Sequence, residues 1–366
     1  MININAYCFG YLGVQKQGHN FIRALGQYDE IALFPFEPVP PLDYIPPYLQ
    51  KSLLNAQEKT VKQNIGIGIG IMNRMAYIVG EPKIAYTVWE TSKIPPSELE
   101  HLKQVDEIWI PSTWGKALLE QNGISPDRVK VVPEGVNTQL YKPKHQEKLA
   151  SSNNRFRFLS VGKWEKRKGI DILLKAYAQE FSVDEPVELV LHCYNPRLPK
   201  LKTQIKSFIF KLNLPPHPPI RYSAPVREST MVELYNSCDA FVLATRAEGW
   251  GLPILEAMAC GKPVIVTNYS AYLDFVNSQN GYLVNVKNMT QVDDPECFDS
   301  ELDYGEWAEP DIEHLRCTLR HIFENQQEAK EIGKIARKDV INSWTWNHAA
   351  KKAWQYLKCF QDRDIC

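Results

Sequence analysis

Apolar runs of strand length recur along the chain, with helical segments between them. In the first half they lie near residue 4 (INAYCF), 30 (EIALFPF), 83 (KIAYTVW), 107 (EIWIPS) and 129 (VKVVPEG). The second half repeats the rhythm from residues 155 (RFRFLSVG), 187 (VELVLHCY), 240 (AFVLATR) and 263 (PVIVTN). Such alternation is typical of a parallel α/β sheet. The pattern therefore predicts two α/β domains.

A polar segment separates the two halves. Residues 141–154 (YKPKHQEKLASSNN) have neither helical nor strand periodicity, which is typical of a linker. We therefore expect domains over 1–150 and 151–342, with the boundary near Ser151. In the remaining segment, 343–366, an aromatic and apolar stripe at helical spacing predicts a terminal helix that packs on the body of the protein. The stripe consists of Trp346, Ala350, Trp354 and Leu357.

Residues 196–212 (PRLPKLKTQIKSFIFKL) form a basic, amphipathic stretch. A helix of this kind can lie on a membrane surface. The alternative is an ordinary domain helix with a solvated charged face, which the general behaviour of charge runs favours. Weak association with a membrane surface stays open at this point.

Composition narrows the class of protein. The length of 366 residues fits two domains, and 44% hydrophobic with 23% charged residues is ordinary for a globular protein. The 42 basic residues against 43 acidic ones leave no excess charge for binding nucleic acid. The eight cysteines include no Cys-x-x-Cys pair, and no apolar run reaches the ~20 residues of a membrane span. We expect a cytoplasmic protein with free thiols and no nucleic-acid partner.

The most informative segment runs from 239 to 267 (DAFVLATRAEGWGLPILEAMACGKPVIVT). It predicts a buried strand over 240–245, followed by a helix that has Pro253 at its first position and ends before Gly261. A second strand is expected over 263–267. In parallel sheets, ligands bind beyond the carboxyl ends of the strands. The loop between the first strand and the helix is therefore a candidate binding site.

This loop combines glycines with two acidic residues. Gly249 and Gly251 leave the backbone open just before a helix N-terminus, where free N–H groups favour an anion such as a diphosphate. We expect Glu248 in the loop and Glu256 in the first helical turn, with both carboxylates facing one cleft. Carboxylates accept hydrogen bonds from hydroxyls, which suits a sugar and a ribose. The alternative is that Glu256 only complements the helix dipole and the glycines only turn the chain.

A second candidate segment runs from 160 to 177 (SVGKWEKRKGIDILLKAY). The pattern predicts a strand that ends at Gly162, then a charged loop, then a helix from Ile170. Lys163 and Lys168 are placed to reach a diphosphate and to offset the charge that develops on a leaving group. Lys166 and Arg167 are interpreted as solvated surface.

These segments resemble the retaining glycosyltransferases of family four, which have the GT-B fold. EGWGLPILEAMACGKP matches the family's E-x7-E signature, VGKWEKRKG resembles its phosphate-binding segment, and VVPEGVN (131–137) resembles the stretch before its interdomain linker. The amino-terminal half resembles the family more thinly, through YTVWETSKIP and EIWIPSTWGK. The resemblance implies two Rossmann-like parallel-sheet domains that face each other across a cleft. It also implies a terminal helix that crosses back to the amino-terminal domain.

The resemblance assigns roles to the matching residues. Lys168 is similar to the family's lysine on the donor diphosphate, and Lys163 stands where arginine is common. Glu248 is similar to the glutamate near the donor sugar, and Glu256 to the one that holds the nucleotide ribose. The other donor-binding candidates are Gly249, Trp250, Gly251, Leu252 and Gly13.

Glu90 departs from the family pattern, since some members have a histidine at this position. As a catalytic candidate, Glu90 would accept hydrogen bonds from sugar hydroxyls. Its alternative role is a strand-end carboxylate that caps the following turn.

Three weaker glycine and histidine signals lie in the first half. Gly66, Gly68 and Gly70 superficially resemble a dinucleotide fingerprint, but the spacing differs and the residues before them are not a buried strand, which argues against a dehydrogenase. The turn at 10–13, which ends at Gly13, faces a cleft or is an ordinary tight turn. His19 contacts an acceptor or is a surface or capping histidine.

The implied reaction moves a sugar from a nucleotide sugar to a hydroxyl of a saccharide or glycoconjugate, with retained anomeric configuration. No cofactor is expected, and the scattered histidines favour independence from metal. The alternatives are another GT-B enzyme, such as a nucleotide-sugar epimerase or a sugar phosphorylase, and a nucleotide-sugar binding protein without turnover. The donor's base and sugar, the acceptor and the oligomeric state stay open.

Overall fold

The computed structural model describes residues 1–10, 12–58, 61–144, 155–195, 198, 200–223 and 228–363. The chain divides into two compact units, Met1–Asn137 with Ser343–Cys366, and Thr138–Asn342. The boundary expected near Ser151 lies outside the described residues, and so does Arg197 of the basic stretch.

The first unit contains a six-stranded parallel sheet. Its strands in spatial order are β2 (Ile31–Pro35), β1 (Ile2–Ala6), β3 (Gly66–Ile69), β4 (Lys83–Tyr86), β5 (Glu107–Ile110) and β6 (Val129–Val131). The helices are α1 (Gly13–Leu25), α2 (Pro47–Asn55), α3 (Pro96–Lys103) and α4 (Thr113–Gln121). Strands buried on both faces explain why the sequence shows continuous apolar runs rather than alternation.

The second unit repeats this plan with a second six-stranded parallel sheet. Its strands in spatial order are β12 (Tyr282–Val284), β11 (Val264–Thr267), β10 (Ala240–Leu243), β7 (Phe156–Lys163), β8 (Val187–Tyr194) and β9 (Ile220–Ser223). The helices are α5 (Ile170–Glu180), α6 (Leu201–Lys211), α7 (Glu228–Ser237), α8 (Leu252–Ala259), α9 (Ile312–Glu324) and α10 (Gln326–Ser343). An antiparallel hairpin of β13 (Val286–Gln291) and β14 (Glu306–Pro310) follows the sheet.

Strand β3 is an element that the apolar pattern did not predict. A Cβ added at Gly66 would lie 2.5 Å from the carbonyl oxygen of Val79, and one added at Gly68 would lie 2.6 Å from Cγ1 of Ile78. These glycines therefore let the segment after β3 pack directly on the strand. The role of these glycines in the structure is to allow close packing between the strand and that segment.

The last helix, α11 (Trp346–Arg363), packs against α1 of the first unit. Ala350 and Leu357 are fully buried, and the Trp354 ring stacks on Tyr28 with ring centroids 5.8 Å apart. The aromatic stripe seen in the sequence thus lies on the packed face of the helix.

Helix α6 forms most of the basic stretch at 196–212. Leu201 and Ile205 are buried in the core of the second unit, and the Phe208 ring contacts Trp164 edge-on at 5.3 Å. Lys202 and Lys206 are exposed. The apolar face is thus used inside the unit, as in an ordinary domain helix. Among the described residues, no helix has the length and apolarity needed to cross a bilayer.

Candidate functional site

The glycine-rich loop joins β10 to α8 at the carboxyl edge of the second sheet. Helix α8 begins at Leu252, so Pro253 is its second residue and not its first, and the helix ends before Gly261. Glu256 is the fifth residue of the helix, and the expectation that it lies in the first turn is wrong. The helix dipole acts mainly on charges within the first turn. Interaction with the dipole therefore does not explain an acidic residue at position 256.

Lys168 and Glu248 form a buried ion pair at this edge. The Lys168 ammonium donates to Glu248 Oε1 at 2.6 Å and to Oε2 at 2.9 Å. Lys168 is 8% exposed and Glu248 is 5% exposed. The structure therefore brings two of the predicted site residues, 80 positions apart in the sequence, into direct contact.

Arg167 belongs to the same cluster, which corrects the interpretation of this residue as solvated surface. Its guanidinium is buried, donates to the carbonyl oxygen of Ala247 at 2.7 Å and to Glu165 Oε1 at 2.8 Å, and lies 3.3 Å from Glu248 Oε2. The sequence did not reveal the burial of Arg167, because this residue lies in a run of four charged residues. Position in the turn, and not charge, decides which of them is buried. Lys166 is the member of the run that pairs at the surface, with Asp293 at 2.6 Å.

Two hydroxyl groups complete the surroundings of Glu248. Thr245 Oγ1 donates to Glu248 Oε1 at 3.0 Å, and the backbone N–H of Glu248 donates to Ser270 Oγ at 3.0 Å. Thr245 was predicted only as a strand residue, and Ser270 lies beyond the predicted strand over 263–267. The two positions come two and three residues after the buried strands β10 and β11, which is the sequence signal that could have found them.

The charges of the cluster follow from this packing. Burial opposes ionisation of Glu248, but Lys168 and Arg167 outweigh it and hold the pKa of the carboxyl below its usual range. Burial and the nearby Arg167 lower the pKa of Lys168. For Glu165, burial is outweighed by Arg167, Lys168 and Lys163, which lower its pKa to about 2. The cluster therefore contains two carboxylates, Glu165 and Glu248, beside the buried cations Arg167 and Lys168.

The turn that carries Lys168 depends on Gly169. This glycine has φ 63° and ψ 28°, and a Cβ there would lie 1.7 Å from the carbonyl oxygen of Ala244. Only glycine fits this left-handed conformation and close approach. The backbone contact places the turn against the end of β10, and so places Lys168 beside Glu248.

Glu256 is held by a residue that the sequence did not single out. Tyr235 of α7 donates from its hydroxyl to Glu256 Oε2 at 2.8 Å, and both side chains are buried. Burial and the Glu256 carboxylate raise the pKa of Tyr235 well above its usual value. Tyr235 therefore stays a neutral donor that orients Glu256.

The remaining candidates of the second unit have distinct environments. Lys163 is the exposed last residue of β7, one position beyond the predicted strand end. Trp250 is buried, with its ring 4.9 Å from that of Phe275, so it packs the loop onto the unit. Gly249 and Leu252 are also buried. Gly251 has φ 103° and lies immediately before α8.

Glu90, Gly13 and His19 belong to the first unit. Glu90 is half-buried after β4, Gly13 is the first residue of α1, and His19 Nε2 lies 2.8 Å from the hydroxyl of Tyr48. Glu134, in the stretch VVPEGVN, is buried. Burial and the nearby Glu90 raise its pKa to about 8.

The described residues contain no group of three or more His, Cys, Asp or Glu side chains that could hold a metal ion. The groups at this edge of the second sheet that can bind an anion are the cations and the backbone N–H groups.

Two six-stranded parallel sheets with flanking helices, one of which carries a glycine-rich turn before a helix N-terminus, are the elements of the GT-B fold. The predicted fold class is confirmed by solved structures. Sucrose-phosphate synthase from Thermosynechococcus elongatus has a TM-score of 0.75 at 16% identity, covering 99% of this chain and 100% of that one. HepE from Anabaena, in complex with UDP-glucose, has a TM-score of 0.72 at 16% identity, covering 98% and 99%.

The sequence comparisons concern the carboxyl-terminal part of the chain. Residues 141–294 match the model of the family described as glycosyl transferases group 1. D-inositol 3-phosphate glycosyltransferase from Acidothermus cellulolyticus is 25% identical over 186 residues, which are 48% of this chain and 42% of that protein. The match thus spans less than half of this relative's length. This carboxyl-terminal segment is thus similar to the group 1 glycosyl transferases, which confirms the glycosyltransferase resemblance drawn from the sequence.

Proposed function

We propose that the protein transfers a sugar from a nucleotide-sugar donor to a hydroxyl group of a saccharide or glycoconjugate, with retention of anomeric configuration. The observation that carries this proposal is the contact of Lys168 with Glu248 beside the N-terminus of α8. The match of residues 141–294 to the family model and the relative named as a glycosyltransferase support it.

Lys168 is the proposed contact for the donor diphosphate. An ammonium group has three N–H donors, and the Lys168 ammonium directs two of them at Glu248. In the proposal the third donates to a phosphate oxygen. As the glycosidic bond breaks, negative charge grows on the departing diphosphate, and a preorganised cation stabilises that charge without rearrangement.

The loop before α8 supplies the second contact for the same diphosphate. The backbone of Gly249 and Gly251 precedes the helix, so N–H groups and the positive end of the helix dipole favour an anion there. The exposed Lys163 at the end of β7 adds a further positive charge in the proposed site.

Glu248 has the proposed role of fixing Lys168 and approaching the donor sugar. Its oxygens accept from Lys168 and Thr245 and lie 3.3 Å from Arg167, so a sugar hydroxyl reaches Glu248 only by displacing one of these donors. Glu256, held by Tyr235, is proposed to accept from the ribose hydroxyls. Glu90 and Gly13 of the first unit keep their predicted roles, Glu90 toward sugar hydroxyls and Gly13 toward the donor.

Release of nucleoside diphosphate from a panel of UDP-, GDP- and ADP-sugars tests the proposal, with UDP-glucose first because the related fold of HepE is in complex with it. We expect slow hydrolysis of one donor and faster release when a saccharide acceptor is added. The anomeric configuration of the product, read by NMR, tests retention. Binding without any release would support the binding protein, and interconversion of the donor without acceptor would support an epimerase.

A further inference from the structure

Arg246 is a buried arginine that the proposed reaction does not use. It is 3% exposed and lies two residues before Glu248. Its guanidinium donates to Asp171 Oδ1 at 3.0 Å and Oδ2 at 2.9 Å, and to Glu309 Oε2 at 2.7 Å and Oε1 at 3.1 Å. The remaining bond goes to the carbonyl oxygen of Lys166 at 2.6 Å. All five N–H donors of the arginine are therefore used.

The backbone of Arg246 adds two further connections. Its N–H donates to the carbonyl oxygen of Arg167 at 2.7 Å, and its carbonyl oxygen accepts from the N–H of Ala308 at 3.1 Å. Arg246 therefore joins the turn that carries Lys168, the loop that carries Glu248, and strand β14 of the hairpin.

The segment from β13 to β14 holds the same turn by independent contacts. Asp294 accepts from the backbone N–H of Lys166 at 3.0 Å, and the Cys297 thiol donates to Glu165 Oε2 at 3.2 Å. Within the segment, the Phe298 ring packs against Tyr304 at 4.8 Å and against Trp307 at 6.2 Å. The segment from β13 to β14 thus has its own aromatic cluster. It is also hydrogen-bonded to the turn that carries Lys168.

We propose that Arg246 is a positioning residue, which acts with Asp171 and Glu309 to hold Lys168 and Glu248 at their contact distance. Through Glu309 the hairpin then sets where the Lys168 ammonium meets the donor diphosphate. The inference rests on the proposed function for its effect on catalysis, while its geometric part concerns this chain alone. Lysine is a poor substitute for Arg246, because three donors from one nitrogen do not span two carboxylates and a carbonyl oxygen.

The test compares Arg246→Lys, Arg246→Gln and Glu309→Gln with Arg316→Gln as a matched control. Arg316 also pairs with two carboxylates, Glu180 and Glu313, but on α9. For the donor found by the panel, we expect kcat to fall about 10- to 100-fold in the Arg246 variants, since misplacement of a reacting group by ~1 Å costs about that much. The KM for the donor should change much less, Arg246→Lys should not rescue kcat, and Arg316→Gln should keep wild-type kcat.

Crystal structures of the same variants separate the failure of this inference from the failure of the proposed function. We expect the distance from Lys168 Nζ to the Glu248 oxygens to lengthen beyond the 2.6 and 2.9 Å of the native contact. Unchanged distances, or wild-type kcat in a folded Arg246→Gln variant, would overturn the inference. A wild-type protein inactive on every donor would count against the function alone, and the distances would still decide this inference. If Arg246→Gln does not fold, Glu309→Gln, which keeps the guanidinium and its bonds to Asp171, supplies both readouts.

Discussion

At the scale of single residues, the buried Lys168 ammonium is the group whose loss should matter most to turnover. Lys168→Ala removes a preorganised cation, and single electrostatic donors of this kind contribute about a hundredfold to rate. We expect kcat for donor consumption to fall by about that factor. The exposed Lys202→Ala variant on α6 is the control and should keep wild-type kcat. Wild-type turnover in a folded Lys168→Ala variant would place the diphosphate elsewhere.

Glu256 should contribute to the affinity of the protein for the nucleotide sugar. Glu256→Ala removes the proposed acceptor for ribose hydroxyls, and loss of a hydrogen bond to a charged group costs about 1–3 kcal/mol of binding free energy. Tyr235→Phe, which removes only the donor to Glu256 Oε2, should cost less. Isothermal titration calorimetry with the nucleoside diphosphate sugar measures both, with the exposed Glu233→Ala on α7 as control. Equal affinities in all four proteins would contradict the assignment.

The Glu134 carboxyl in the first unit should make stability depend on pH. Its pKa is raised from 4.5 to about 8, so the native state binds this proton more tightly than the unfolded state. The stability that this proton provides is fully present below pH 4.5 and is lost as the pH rises to about 8. Glu134→Gln removes this dependence, and its advantage over the wild type should grow by roughly 3 kcal/mol from pH 5 to pH 8.

Urea denaturation of both proteins across that pH range gives the difference directly. Because other titrating groups are common to the two proteins, they cancel in the difference to a first approximation. A difference that stays constant with pH would show that Glu134 ionises in the native state as it does in the unfolded one.

At the scale of elements, the turn between β7 and α5 should tolerate no side chain at Gly169. Gly169→Ala combines a left-handed backbone, which costs about 1–2 kcal/mol for a residue with a Cβ, with a clash against the carbonyl oxygen of Ala244. Gly123→Ala is the matched control, since Gly123 has φ 88° and its added Cβ meets nothing within 4 Å. We expect Gly169→Ala to lower the free energy of unfolding distinctly more than Gly123→Ala in urea denaturation. Equal losses of unfolding free energy in the two variants would mean that the turn accommodates the added Cβ at Gly169 without further destabilisation.

The long apolar runs predicted most strands of both sheets, because a strand buried on both faces has few alternatives. The pattern missed β3, where glycines replace large apolar residues, the half-exposed edge strands β9 and β12, and the hairpin of β13 and β14, whose residues are mostly polar or half-exposed. A continuous apolar run reports a strand whose side chains are large and buried on both faces. The missed strands lack such side chains at most of their positions.

The candidate site was also predictable from the sequence only in part. The positions of Lys168 and Glu248, each in a segment that follows a buried strand, pointed to two residues that the structure brings into contact. The burial of Arg167 and the bonds of Tyr235 and Arg246 were not predictable, because each depends on a partner far away in the sequence. Local pattern carries no information on such pairings.

At the scale of the whole molecule, the chain returns to its first unit through α11. Leu357 is fully buried there, and replacing a buried leucine by alanine costs about 2–5 kcal/mol. Leu357→Ala should therefore lower the unfolding temperature clearly, whereas the exposed Lys351→Ala on the same helix should leave it nearly unchanged. Equal unfolding temperatures for both variants and the wild type would mean that α11 adds little to the stability of the first unit.

We propose that a nucleotide sugar binds at the carboxyl edge of the second sheet, and a crystal structure with the donor that the hydrolysis panel identifies would locate it. We expect a diphosphate oxygen within hydrogen-bonding distance of Lys168 Nζ and of a backbone N–H in the 249–251 turn, with a ribose hydroxyl on Glu256. A donor bound elsewhere, with the contact between Lys168 and Glu248 unchanged and no atom of the ligand near it, would overturn the proposed binding site.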